Sequence, residues 1–112
     1  MSATIEFNRW MVADGETDAL VKQTITDTAA ALSIPAGANA VQLTLEKHAE
    51  SDGSQPIVRT YRHGTAPTAT DGEPLTNLET RVIYGLGAIK AHQFISADGR
   101  NQTVYCSWFK TH

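Results

Sequence analysis

The sequence contains one cysteine, Cys106, among 112 residues, so no disulfide can form within the chain. It also lacks an apolar run long enough to cross a membrane, and Met1 is followed by no charged segment leading into an apolar stretch. We therefore expect synthesis in the cytoplasm, without secretion and without a membrane partner.

Positive charge is scarce as well. Nine Lys and Arg residues stand against 12 Asp and Glu residues, which gives a net charge of −3 and a pI near 5.7. Without a basic run to neutralise phosphates, nucleic acid is not expected as a direct partner. The acidic excess lies in residues 1–18, where one Arg and four acidic side chains account for the whole net charge.

The sequence also lacks the residue combinations that form catalytic or metal-binding sites. The histidines do not have the spacing that directs two imidazoles at one zinc ion, and the acidic residues near glycines match no calcium loop. Cys106 stands between Tyr105 and Ser107 in an apparent strand, which is typical of a buried small hydrophobe. We predict no enzyme activity, no cofactor and no metal site; the residues considered were His48, His63, His92, His112, Cys106, Glu50, Asp52, Asp71 and Glu73.

What the sequence does contain is turn chemistry and strand-forming residues. The dipeptide Asp-Gly, which favours tight turns, occurs four times, and between these sites lie short runs rich in Thr, Val, Ile and aromatics. The 14 threonines favour strands over helices. With 41% hydrophobic residues, the chain can bury the core of one domain. The pattern predicts an antiparallel all-β domain over residues 17–112.

Two central runs make the clearest strands. Residues 40–46 alternate strictly, which places Val41, Leu43 and Leu45 on a buried face. Residues 57–62 form another strand, but the pattern allows either of two inward-facing pairs. These pairs are Val58 with Thr60, or Ile57 with Tyr61.

Other segments give weaker signals. Residues 89–95 and 103–110 are predicted to form a hairpin around Asp98-Gly99. The stretch 17–33 favours two short strands around Asp27 over a helix, because its β-branched residues oppose a helix. The two glycines in residues 84–88 indicate a bend or bulge rather than the start of a helix.

Residues 1–16 show no steady period, yet they hold Phe7, Trp10 and Met11 beside the acidic groups. Such apolar content is unusual for a solvated tail. We predict that the segment is a docking arm whose three apolar side chains bind a partner. The alternative is an ordinary first strand of the same domain.

The run at residues 58–75, V-R-T-Y-R-H-G-T-A-P-T-A-T-D-G-E-P-L, resembles one found in small virion proteins of tailed bacteriophages. Residues 34–38 before the Val41 strand, and residues 89–95 followed by the final strand, are similar to the same family. Together these pieces cover about residues 30–110. The chain departs from the family pattern at His63, where Asp is usual, and in the insert at 52–56.

The resemblance implies an immunoglobulin-like β-sandwich that is a structural part of a virion, most specifically a capsid decoration or cement protein, or otherwise a head or tail accessory protein. It implies the major capsid protein or other virion subunits as partners, with a homo-oligomer, such as a trimer, as a further expectation. The family brings no catalytic residues. The alternative is a carbohydrate-binding or spacer immunoglobulin-like module, in which Tyr61, Tyr84 or Tyr105 would supply a stacking platform.

Overall fold

The computed structural model describes residues 11–12 and 20–110. Within these residues the chain forms eight strands and one short helix, and every strand pair is antiparallel. The all-β prediction is therefore confirmed. The elements are β1 (Met11–Val12), β2 (Leu20–Ile25), β3 (Ala40–Glu46), β4 (Val58–Tyr61), β5 (Glu73–Leu75), β6 (Thr80–Tyr84), α1 (Leu86–Ala91), β7 (Gln93–Ser96) and β8 (Gln102–Lys110).

The strands are arranged in two sheets. In the first sheet β8 is paired on one side with β1 and β2 and on the other with β3, and β6 follows β3 at the far edge. The second sheet has the order β5, β4, β7. The chain passes repeatedly between the sheets, because β4 and β5 leave the first sheet and β6 returns to it.

One apolar core joins the two sheets. Val41, Leu43 and Leu45 are fully buried, as the alternation predicted. They share one cluster with apolar residues of β8, of β6 and of the second sheet. On β4, Val58 and Thr60 face inward, which decides between the two predicted pairs. Ile57, just before the strand, is buried too, and the Thr60 hydroxyl donates to the Gln93 carbonyl oxygen at 2.6 Å.

The predicted hairpin at the C-terminal end is wrong. β7 pairs with β4 in the second sheet, whereas β8 pairs with β3 in the first, so the turn at Asp98-Gly99 links the two sheets. The turn chemistry itself is present, since Asp98 accepts the backbone N–H of Arg100 at 2.9 Å. Such a turn reverses the chain without requiring that the flanking strands pair with each other.

The bend predicted within residues 84–88 is present at Gly85, but the expectation that no helix begins there is wrong, because α1 starts at Leu86. The strand predicted to start at Ile89 begins only at Gln93. Gly85 has a φ of 91°, which a glycine tolerates, and this turn releases the chain from β6 into α1. The helix stays short and buries one side chain, Ile89. No helix in the described ranges has the length and apolarity needed to span a bilayer.

In the stretch 17–33, the described residues 20–33 form one strand and an isolated bridge where two short strands were expected. After β2 the chain crosses to the second sheet, where Ala30 pairs with Phe94 beside β7. Residues 20–33 contain no helix, in agreement with the preference for extended structure.

Candidate interaction surface

The three residues predicted to bind a partner, Phe7, Trp10 and Met11, lie in the N-terminal segment. Phe7 and Trp10 lie outside the described residues, so their role stays a prediction. Met11 begins β1, where its backbone is paired with Lys110 of β8. β1 thus places Met11 and Val12 at one edge of the first sheet, beside the last residues of β8.

Two of the described histidines, His48 and His92, serve local structure. Nδ1 of His48 accepts the backbone N–H of Glu50 at 3.1 Å, and the buried ring of His92 stacks on Phe94 with centroids 6.1 Å apart. Across residues 11–12 and 20–110, no three His, Cys, Asp or Glu side chains lie close enough together to hold a metal ion. This part of the chain therefore offers no ligand set.

Cys106 is a core residue. Its thiol is buried in β8, where it is level with Leu43 of β3, and burial raises its pKa to about 12. The thiolate is the nucleophilic form of cysteine, and at neutral pH this side chain stays protonated. Cys106 therefore contributes packing rather than reactivity.

Glu73 is the most strongly perturbed carboxylate among the described groups. Arg81 donates to both of its oxygens, at 2.6 and 3.1 Å, and Arg62 donates to both at 3.0 Å. These hydrogen bonds, first from Arg81 and then from Arg62, lower the pKa of Glu73 to about 2. Because Arg81 belongs to β6 and Glu73 to β5, the pair ties the two sheets together at one side.

A second polar cluster surrounds the fully buried Gln102. Its Oε1 accepts the backbone N–H of His48 at 2.7 Å, and its Nε2 donates to Asp98 Oδ1 at 2.8 Å and to Ser51 Oγ at 3.1 Å. In the described part of the chain, every buried side-chain nitrogen and oxygen has a hydrogen-bond partner. The buried polar groups thus hold loops in place and leave no unpaired atom for a ligand.

Exposed apolar side chains, in contrast, are concentrated around β6. Among the described residues, five large hydrophobic side chains are exposed, and four of them lie between positions 78 and 86. We call these four the β6 edge patch: Leu78 (65% exposed), Val82 (43%), Tyr84 (63%) and Leu86 (40%). The fifth is Val21 in β2 at 46%. Clustered exposure of this kind marks interaction sites more often than single exposed residues do.

The patch borders an open strand edge. β6 is the last strand of the first sheet and pairs only with β3 among the described residues. At its end, the N–H of Gly85 donates to the Asn39 carbonyl oxygen at 2.7 Å. Because backbone groups alternate along an antiparallel strand, the N–H and C=O groups of Thr80 and Val82 face away from β3. They are therefore available to another strand.

Three other described sheet edges, those of β2, β5 and β7, are protected. β5 contains Pro74, which has no N–H to offer, and the edge of β7 is occupied by Ala30. β2 carries Lys22 on its outer face. The Oε1 atom of its Gln23 side chain accepts a hydrogen bond from the backbone N–H of Ser33. β6 has no proline, and its one charged residue, Arg81, is turned toward Glu73. The edge of β6 is thus the least protected of these four edges.

Leu78, at the start of the patch, is held in an unfavourable backbone conformation. Its φ of 66° is the one positive value among the described non-glycine residues. A leucine in this region costs about 1 to 2 kcal/mol, and with its side chain exposed there is little packing to offset the cost. Backbone strain that packing does not repay is a feature of functional positions.

The three tyrosines considered for a stacking platform do not share a surface. Tyr61 faces outward from the second sheet and donates to Asp71 Oδ1 at 2.8 Å. Tyr84 and Tyr105 lie in the first sheet, next to positions of β3 that are four residues apart. The Tyr105 hydroxyl donates to Glu46 at 3.1 Å.

No family model, characterised protein or solved structure is similar to this chain. The geometry also shows residues that the sequence analysis did not single out, namely Leu78, Val82 and Leu86. For Val82 the sequence held a signal, the run at 80–84, in which Val82 and Ile83 follow each other. Adjacent apolar residues point to opposite faces of a strand, so one of them had to face outward.

Proposed function

We propose that the protein is a structural component of a tailed-bacteriophage virion, most specifically a capsid decoration or cement protein. In this proposal an immunoglobulin-like β-sandwich with an N-terminal arm binds the major capsid protein or other virion subunits. The protein is made in the host cytoplasm and ends in the particle, and it performs no enzymatic step.

The observation that carries the binding role is the β6 edge patch. Its apolar side chains are exposed beside an unprotected strand edge. The described buried polar groups, in contrast, are paired internally. A surface of this kind contributes binding energy through apolar burial and backbone pairing, whereas catalysis needs polar groups directed at one point.

The virion assignment is supported by the sequence run at 58–75, which forms β4, β5 and the loop between them. Pro67 is buried in this loop, and Gly72 has a φ of 139°. A Cβ atom on Gly72 would lie 3.2 Å from the Thr60 carbonyl oxygen, so the position favours glycine. Arg59 Nη1 donates to the Gly72 carbonyl oxygen at 2.9 Å. Residues shared with the phage run are thus the ones that fix the shape of this loop.

A lattice protein needs more than one contact surface, and the first sheet offers two. Met11 and Val12 lie at the β8 side of the sheet, whereas the β6 edge patch lies at the opposite edge. In our proposal Phe7, Trp10 and Met11 bind the particle. The opposite edge is left for a second contact.

Co-sedimentation tests the proposal directly. Purified protein is mixed with particles of the phage that lack it, and bound protein is quantified after centrifugation. We expect saturable binding with a fixed number of sites per particle. Protein that stays in the supernatant at all concentrations would contradict the proposal, provided that its circular dichroism shows it to be folded.

A further inference from the structure

We propose that the β6 edge patch binds a second copy of the same chain, with the two β6 strands antiparallel around a two-fold axis at Val82. The first sheets of the two molecules then form one continuous sheet. The inference rests on the described residues alone and holds whether or not the protein belongs to a virion.

The strand β6 (Thr80–Tyr84) is centred on Val82, which argues for a second copy as the occupant, because pairing around this residue uses the whole strand of both copies. Leu78 precedes the strand and Leu86 begins α1, so both side chains flank the paired region. Thr80 is opposite Tyr84 of the second copy, a β-branched residue against an aromatic one, which is a favourable cross-strand pair.

The backbone allows the same register. Thr80 and Val82 direct their N–H and C=O groups toward the open edge, so Val82 can exchange two hydrogen bonds with Val82 of the second copy. A two-fold axis of an antiparallel pair can pass through such a hydrogen-bonded pair. The interface is then self-complementary, as in most homodimers.

Charge does not oppose this pairing. The one charged residue of β6, Arg81, is opposite Ile83 of the second copy in this register. Its guanidinium group is bound to Glu73 at 2.6 Å and lies 3.7 Å from Glu79. Like charges are therefore not brought together across the axis, and the two Arg81 side chains remain engaged within their own molecules.

The interface is small, since it consists of one strand and its two flanks, so we expect a dissociation constant of about 1 to 100 μM. Sedimentation velocity of the full chain up to about 0.5 mM measures it. We expect a reversible monomer–dimer equilibrium. A chain that stays monomeric throughout this range, or that forms a trimer without a dimer, would overturn the inference.

Substitutions at the axis give the sharper test. Val82→Glu places like charges opposite each other and should weaken dimerisation about tenfold or more, as should Val82→Lys. The matched control is Val21→Glu, which alters a side chain of similar exposure away from the patch and should leave the dimer unchanged. Equal loss in the control would show that the association is not made by β6.

Mixing the two charged variants separates two-fold pairing from general hydrophobic contact. Because position 82 faces itself, Val82→Glu and Val82→Lys should form a mixed dimer at low salt at concentrations at which each alone stays monomeric. A mixture that remains monomeric would contradict the register. Thermal unfolding of each variant beforehand establishes that it is folded.

Cross-linking provides a readout that does not depend on affinity. Opposed residues of a hydrogen-bonded pair lie about 5.5 Å apart at Cα, within the range of a disulfide. Val82→Cys should therefore form a covalent dimer on mild oxidation, while the buried Cys106 does not react. Val21→Cys is the control. Cross-linking of the control but not of Val82→Cys would refute the proposal.

Discussion

At the scale of single residues, the alternation of the central strand predicts which side chains hold the core. Leu43 is fully buried between β8 and β6 in the first sheet. Leu43→Ala removes a large apolar side chain and leaves a cavity, which should lower the free energy of unfolding by about 2 to 5 kcal/mol. Urea denaturation followed by tryptophan fluorescence measures the change. A loss below about 1 kcal/mol would mean that the core around Leu43 collapses to fill the space.

Leu78 gives a prediction of the opposite sign. Glycine accepts the positive φ at this position, so Leu78→Gly should leave the melting temperature unchanged or raise the stability by up to about 1 kcal/mol. Leu78→Ala removes the same side chain but keeps the strain, and it should give no stabilisation. Both variants should weaken self-association equally. A clear destabilisation by Leu78→Gly would show that the side chain packs against its own domain.

At the scale of elements, the ion pair between Glu73 and Arg81 connects β5 of the second sheet to β6 of the first. The pKa of Glu73 is about 2 in the folded chain against an ordinary 4.5, so its contribution is present above pH 4.5 and is lost as the pH falls toward 2. Because the Glu73 side chain is 35% exposed, solvent screens the Glu73–Arg81 pair. We expect the pair to contribute about 1 kcal/mol to the free energy of unfolding at neutral pH.

Thermal unfolding between pH 2 and 7 tests this contribution. Glu73→Gln should lower the melting temperature at pH 7 and reduce its fall between about pH 4.5 and 2. Some dependence should remain, since hydrogen bonds from Ser54 lower the pKa of Asp52 as well. Glu50→Gln, an exposed carboxylate, is the control. An unchanged pH profile for Glu73→Gln would show that the Glu73–Arg81 ion pair does not stabilise the fold.

The N-terminal arm yields a second prediction at this scale. A chain that begins at Thr17 lacks Phe7, Trp10, Met11 and the two-residue strand β1, but it keeps β2 to β8 and the described core. It should remain folded and bind its particle much more weakly, because buried aromatic anchors commonly carry about 2 kcal/mol or more of an interface. Thermal unfolding and co-sedimentation measure the two effects. Collapse of the fold would make the segment a core strand instead.

Elements also show how far the sequence could predict this fold. The β3 strand and its buried face follow from local alternation, because one face packs on the core and the other does not. Which sheet β7 joins depends on its pairing with β4, which is distant in the sequence. The turn residues Asp98-Gly99 indicate only that the chain reverses, not which strands pair. The helix after Gly85 is six residues long, too short for a periodic signal. The β6 edge patch depends on strand order, which no local pattern contains.

At the scale of the whole molecule, the two proposed contacts use opposite edges of the first sheet. Met11 and Val12 pair with β8, and the β6 edge patch lies on the far side. In the proposed assembly one edge binds the particle and the other binds a second copy, so dimerisation and particle binding are separable. Val82→Glu should weaken dimerisation without removing particle binding. Removal of residues 1–16 should weaken particle binding without removing dimerisation.

The central claim is that this protein is part of a virion. Quantitative mass spectrometry of particles purified through a density gradient, from a phage that encodes the chain, tests it most directly. We predict that the protein co-purifies with intact particles in a fixed ratio to the major capsid protein, before and after a wash at high salt. Its presence in the infected-cell lysate together with its absence from the purified particles would contradict the account.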